Sequence, residues 1–177
     1  KTVILYCDTS ALLKLFIDEQ GSESMVKACA SAECIAVCRI TWAESMAAFA
    51  QRARFKGANQ AGLAQARSMF EQAWPDFVIA DVTQPLVVKA GMYAEAFGLR
   101  GYDSVQLAAA RTLQAMAGEE IQFACFDTRL GKAARMLGMP WASRSMRSKI
   151  PVCLTAPALA ARSRSHSSNS SRSTMPT

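Results

Sequence analysis

Asp8, Glu44, Asp103 and Asp127 each sit where an apolar run gives way to a helix-like one. The segments are VILYCDTSALLKLF, IAVCRITWAESMAAF, GLRGYDSVQLAAA and IQFACFDTRLGKAA. Acidic side chains rarely enter apolar surroundings unless something pairs with them. Few cationic residues stand beside these acids in the sequence, which points to a divalent-metal site. Hard cations want oxygen ligands, and Mg²⁺ typically takes a few carboxylates, waters and substrate phosphate. Two such ions about 4 Å apart can activate water and stabilise the leaving oxygen in an in-line phosphoryl displacement.

Residue types exclude other chemistries. The single histidine, His166, lies near the C-terminus, so residues 1–141 cannot build a serine–histidine–acid triad. No Walker A or Rossmann glycine pattern occurs. The cysteines are Cys7, Cys29, Cys34, Cys38, Cys125 and Cys153, with no C-x-x-C pair. Cys7 and Cys125 fall in apolar runs, where cysteine acts as a small buried hydrophobe. Cys29, Cys34 and Cys38 have no apparent fourth ligand for zinc.

Each acid also has a purely structural reading. Asp8 can cap a helix. Glu44 can be the reciprocal partner of Thr41 in a Thr-x-x-Glu capping box. Asp103 and Asp127 can favour helix N-termini through the dipole. These roles do not exclude metal binding, and four independent caps would not need to converge. Ser10 can hydrogen-bond Asp8 or serve as a plain cap. Arg39 and Arg100 can contact phosphate or form surface ion pairs. The run from Gln51 to Lys56 is a local basic patch or a solvated helix end. Trp42, Met46, Phe49, Phe55 and Met69 read as core or helix–helix contacts.

The elements that must hold these residues alternate. Strands are expected over Thr2–Cys7, Cys34–Cys38, Phe77–Val82 and Ile121–Phe126, with a short fifth near Trp141. A helix follows Asp8, and a second runs to about Ser31. Further helices are expected from Thr41 to about Lys56, from Asn59 to about Trp74, over Gln84–Phe97, over Asp103–Ala117 and over Asp127–Leu137. This order implies an α/β fold, a mainly parallel sheet of 4–5 strands with helices on both faces. Ligands of such sheets bind beyond the carboxyl ends of the strands. Asp8, Glu44 and Asp127 follow strands, whereas Asp103 opens a helix after a helix–helix turn and depends on the fold to reach the crevice.

The net charge of +6 is not spread over the body. All 14 acidic residues precede Ala142, and 6 of the 20 basic residues follow Trp141, leaving 14 against 14 in residues 1–141. A one-domain body over 1–141 is therefore neutral. Residues 142–177 are basic, rich in Ser and Arg, and read as a disordered tail. Bulk basicity is no argument for a nucleic-acid partner. No secretion signal or apolar span of about 20 residues is evident, so a cytoplasmic protein without a membrane partner is expected.

The segments YCDTSALLKLF, TWAESMAAF, LRGYDSVQLAAA and FDTRLGKAARMLG make the sequence recognisable. It resembles the PIN-domain ribonucleases, in particular the VapC-type toxins of bacterial toxin–antitoxin pairs, from about Val3 to Trp141. The D-x-S-A-L opening falls on Asp8, Ser10, Ala11 and Leu12, and the helix glutamate on Glu44. Tyr102, Asp103 and Ser104 match the opening of a late helix, and Phe126, Asp127 and Leu130 the final F-D-x-x-L. The resemblance implies a PIN-like three-layer sandwich with Asp8, Glu44, Asp103 and Asp127 holding Mg²⁺ or Mn²⁺, supported by Ser10. It implies in-line hydrolysis of RNA leaving 3′-hydroxyl and 5′-phosphate ends, an antitoxin partner, and a homodimer or a toxin–antitoxin hetero-oligomer. One departure stands out: many members carry Thr or Ser two residues before the last aspartate, where this chain has Cys125. Alternatives are a housekeeping RNA-processing nuclease, a catalytically silent binding module of the same fold, and a phosphohydrolase of small esters, for which no D-x-D motif is present.

Overall fold

A computed structural model describes residues 3–141. Strands β1 (Val3–Cys7), β2 (Cys34–Cys38), β3 (Val78–Ala80) and β4 (Glu120–Ala124) form one sheet in the order β3-β2-β1-β4. All three pairings are parallel. Helices α1 (Thr9–Leu12), α2 (Ser22–Ser31), α3 (Ile40–Ala53) and α4 (Gln60–Ala73) connect the first three strands. Helices α5 (Gln84–Phe97) and α6 (Gly101–Ala117) lead to β4, and α7 (Thr128–Met136) follows it.

The pleat sends alternate strand residues to opposite faces, so apolar runs buried on both sides are required. Leu5, Cys7, Ile35 and Val37 join one core with Met25, Phe49 and Phe70 of α2, α3 and α4. Tyr6, Ala36, Cys38, Ile121 and Phe123 join the other, with Leu86 of α5, Leu107 of α6 and Leu130 of α7. The molecule is therefore the expected three-layer α/β sandwich. Ala108, Ala109 and Ala110 are all fully buried, so this turn of α6 is enclosed within that second core.

The chain starts in the middle of the sheet, winds outward through β2 and β3, then returns to the other side of β1 as β4. The reversal opens a crevice between the carboxyl ends of β1 and β4, the usual ligand position in such sheets. The Asp8 N–H bonds the Ala124 carbonyl at 3.1 Å, which closes the base of this crevice.

Several boundaries differ from the sequence reading. β4 ends at Ala124, short of Phe126, because the Phe126 N–H leaves the sheet and donates to Ser10 Oγ at 3.1 Å. α6 begins at Gly101, which puts Asp103 inside its first turn. α3 stops at Ala53, and Phe55 beyond it is 65% exposed and not a core residue. The edge strand β3 covers only Val78–Ala80. Trp141 carries no strand, and the tail assigned to 142–177 lies outside the described residues. Among the described residues, no helix is long and apolar enough to cross a membrane.

Phe70 anchors the α3–α4 side, with its ring centroid 5.6 Å from Phe16, 5.4 Å from Trp42, 5.9 Å from Phe49 and 5.5 Å from Trp74. Phe70→Ala is expected to cost about 3–5 kcal/mol, since the surrounding rings cannot collapse into the space. Urea denaturation of the variant checks this, and a loss below about 1 kcal/mol would contradict such a tightly packed core.

Candidate functional site

β1 delivers Asp8 to the floor of the crevice. Its backbone is extended and its side chain caps α1, Oδ1 accepting from the Ala11 N–H at 2.8 Å. Ser10 Oγ donates to both carboxylate oxygens, at 2.8 and 3.0 Å. The same Ser10 oxygen accepts the Phe126 N–H, so it ties the end of β1 to the loop that carries Asp127. Asp8 is only 6% exposed. Burial pushes its carboxyl up to about 7, the nearby charges of Glu44 and Asp103 add to this, and the bonds from Ala11 and Ser10 oppose it.

Glu44 lies in α3 and is half-buried. The Thr41–Glu44 capping box, the structural alternative for Glu44, does not form. The helix starts one residue earlier, after Arg39, with no side-chain cap. Glu44 Oε2 instead accepts from Thr9 Oγ1 at 2.5 Å and from Gln106 Nε2 at 2.8 Å. Thr41 is buried and accepts from the same Gln106 nitrogen at 2.9 Å. Gln106 Oε1 accepts from the Tyr6 hydroxyl at 2.7 Å. Burial holds that hydroxyl well above its ordinary pKa, so it stays protonated and donates.

Asp103 is half-buried in the first turn of α6. Burial raises its carboxyl, and the charges of Asp127 and Glu44 raise it further, while Arg100 pulls the other way. Asp127 is exposed at the rim. It caps α7, with Oδ1 accepting from the Leu130 N–H at 2.7 Å. The four acids thus form an electrostatically connected set that runs from a buried floor to an open rim. None of them is in a salt bridge among the described residues.

Supporting positions resolve differently. Arg39 pairs with Asp81 on the surface, so it takes the ion-pair role. Arg100 acts on Asp103 through charge. Cys125 lies against α7, where a Cβ on Gly131 would stand 3.3 Å from its sulfur. Burial pushes its thiol up to about 12, and Asp8 adds to the shift. The neutral thiol donates to the Asp127 carbonyl at 3.5 Å, leaving the Asp127 carboxylate to other partners. A cavity of about 280 Å³ opens beside Asp127, lined also by Cys125, Phe126, Arg135 and Trp141.

The donor set fits a hard divalent cation. Its acids offer carboxylate oxygen, none of them is in a salt bridge among the described residues, and its buried member carries a raised pKa that positive charge would relieve. As they stand, no three acidic, cysteine or histidine side chains among the described residues come together closely enough to hold a metal ion by themselves. Mg²⁺ does not demand a full protein cage, because it keeps several waters. Sequence reasoning singled out the acids and Ser10 but not Thr9, Gln106 and Tyr6, which the structure places in contact with Glu44 or with each other. Gln106 had one available signal, an amide amid the apolar residues of VQLAAA.

Fold and site together define a parallel α/β protein with an oxygen-only acidic crevice at its switch point. The PIN domain family model matches residues 5–136, and the chain belongs to that family. The chain is 30% identical over 135 residues to Ribonuclease VapC45 of Mycobacterium tuberculosis (strain CDC 1551 / Oshkosh), covering 76% of this chain and 92% of that protein. The match to Ribonuclease VapC49 of strain ATCC 25618 / H37Rv is also 30% over 135 residues. Among solved structures, a toxin–antitoxin complex from Klebsiella pneumoniae matches with a TM-score of 0.54 at 17% identity, covering 82% of this chain and 100% of that one. PAE2754 from Pyrobaculum aerophilum matches with a TM-score of 0.51 at 20% identity, covering 74% and 79%. At such identities these two speak for the fold alone.

The raised Asp8 carboxyl has a thermodynamic consequence. Its native state holds the proton more tightly than the unfolded chain, so stability is fullest below about pH 4 for this group and is lost as pH rises through about 7. In EDTA the melting temperature is expected to fall from pH 5 to pH 8, with an Asp8 contribution on the order of a few kcal/mol. Mn²⁺ at pH 8 should restore it, and Asp8→Asn should flatten both responses. Scanning calorimetry across pH, with and without Mn²⁺, checks this; an Asp8→Asn protein with an unchanged pH response refutes it.

Proposed function

We propose that this chain is an Mg²⁺- or Mn²⁺-dependent endoribonuclease and the toxin of a type II toxin–antitoxin pair. The observation that carries the reading is the set of four carboxylates at the switch point, one of them buried and in no salt bridge among the described residues. The ribonuclease names of the Mycobacterium relatives supply the substrate class. The Klebsiella neighbour is described as a toxin–antitoxin complex, and we extend that pairing to this chain. Cys7, Cys38 and Cys125 are free thiols, which suits a reducing cytoplasm.

In this reading Asp8, Glu44, Asp103 and Asp127 would hold the ion. When bound, it supplies Lewis-acid charge to the phosphoryl oxygens and makes water a better nucleophile near neutral pH. Four carboxylates alone repel a phosphodiester, so the substrate enters only a charge-compensated crevice. Ser10 keeps Asp8 oriented through two contacts and anchors the rim loop through Phe126. Asp8 must shed its proton to act as a ligand, since its carboxyl titrates at about 7 without compensation. Asp127 at the exposed rim is the acid first met by the incoming strand. Water would attack the phosphorus in line, the P–O3′ bond would break, and the proton lost by the water would be made up on the 3′ oxygen through solvent, leaving 3′-hydroxyl and 5′-phosphate ends.

Purified protein is expected to cut RNA in Mn²⁺, to stop in EDTA, and to lose on the order of 100-fold or more in rate as Asp8→Asn. Undiminished cutting in EDTA would sink the proposal. Inactivity on RNA with turnover of p-nitrophenyl phosphate would move the chain to a small-ester phosphohydrolase. In cells, expression should arrest growth, and the small reading frame beside the gene should relieve the arrest. RNA cleavage without arrest would favour a housekeeping processing nuclease.

A further inference from the structure

Helix α6 carries Asp103 and, one turn later, Gln106. Residues three apart on a helix share a face, so both point toward the same region. Gln106 is 3% exposed, and its amide is fully engaged. The Nε2 protons go to Glu44 Oε2 at 2.8 Å and Thr41 Oγ1 at 2.9 Å, and Oε1 receives the Tyr6 hydroxyl at 2.7 Å.

The chemistry of these partners allows one orientation. A carboxylate accepts and cannot donate, so Glu44 selects the nitrogen end of the amide. The carbonyl end must then face Tyr6, whose hydroxyl has a proton to give. Tyr6 is itself immobile, since it lies fully buried in the sheet and stacks on Phe123 at 5.2 Å. Flipping the amide would set two acceptors against each other at Glu44, in a buried setting where an unmet polar group costs about 1–3 kcal/mol. One oxygen of Glu44 is therefore pinned by Gln106 and Thr9, while no hydrogen bond to Oε1 occurs among the described residues. A glutamate held this way is already ordered, so binding an ion costs it less side-chain entropy.

We infer that Gln106 is a positioning residue for Glu44, and that Tyr6 acts through it by fixing the orientation of its amide. The inference rests on the divalent-ion reading of the crevice. It also makes α6 the element that sets two of the four acids: Asp103 directly and Glu44 through Gln106.

The test is Mn²⁺ binding by calorimetry at fixed pH on Gln106→Leu, Tyr6→Phe and the double variant, with folding verified by urea denaturation. Gln106→Leu is expected to weaken Mn²⁺ binding roughly 10- to 100-fold, the usual effect of losing a residue that orients a ligand. Tyr6→Phe should weaken it less, because the amide remains but is no longer pinned. In the Gln106→Leu background, Tyr6→Phe should cause no further loss. A purely structural role would lower stability and leave Mn²⁺ affinity untouched. Wild-type affinity in folded Gln106→Leu, or additive losses in the double variant, would overturn the inference. If Gln106→Leu does not fold, wild-type affinity in Tyr6→Phe overturns it alone. Absence of Mn²⁺ binding in the wild-type protein would instead overturn the metal reading beneath it.

Discussion

A buried carboxylate at the end of the central strand is the constraint around which the rest is arranged. Asp8 is removed from water, yet no cation is supplied to it by the described residues. Burial favours the neutral acid, whereas the Ala11 N–H and the Ser10 hydroxyl favour the anion. The group is left balanced near neutrality, where a modest added positive charge decides its state. The same side chain starts α1, and its own N–H pairs with β4. A replacement that could not accept from Ala11 would therefore disturb the helix cap as well as the crevice.

Around this floor the acids become progressively more open. Glu44 and Asp103 are half-buried, and Asp127 is exposed. Asp8 and Asp127 are each held at the start of the helix that follows them, while Glu44 is held by side chains of α1 and α6. The rim keeps a solvated carboxylate beside a cavity lined by Phe126, Arg135 and Trp141.

The legible parts of the fold were those governed by local rules. Apolar runs located β1, β2 and β4, and glycine or proline breaks located the ends of α5 and α6. Asp8 and Asp127 were legible as caps because capping acts over three residues. The Thr41–Glu44 pairing failed for the complementary reason. The spacing was right for a capping box, but Glu44 is taken by Thr9, 35 residues away, and Gln106, 62 residues away. Phe55 was misplaced in the core because hydrophobicity alone does not reveal where a helix stops facing its neighbours.

What the sequence by itself determined was the chemistry on offer: four acids, a body without histidine, and strands and helices in alternation, with motifs of the PIN type. These depend on residue identity and short spacing. Tertiary structure decided which side of β1 receives β4, and hence where the crevice opens. It brought Asp103 from a helix–helix turn into the electrostatic reach of Asp8, Glu44 and Asp127. It also placed an amide from α6 between Tyr6 and Glu44, a juxtaposition across 100 residues on one side and 62 on the other. No local pattern encodes such a contact, because it exists only once parallel strands and their crossover helices have packed.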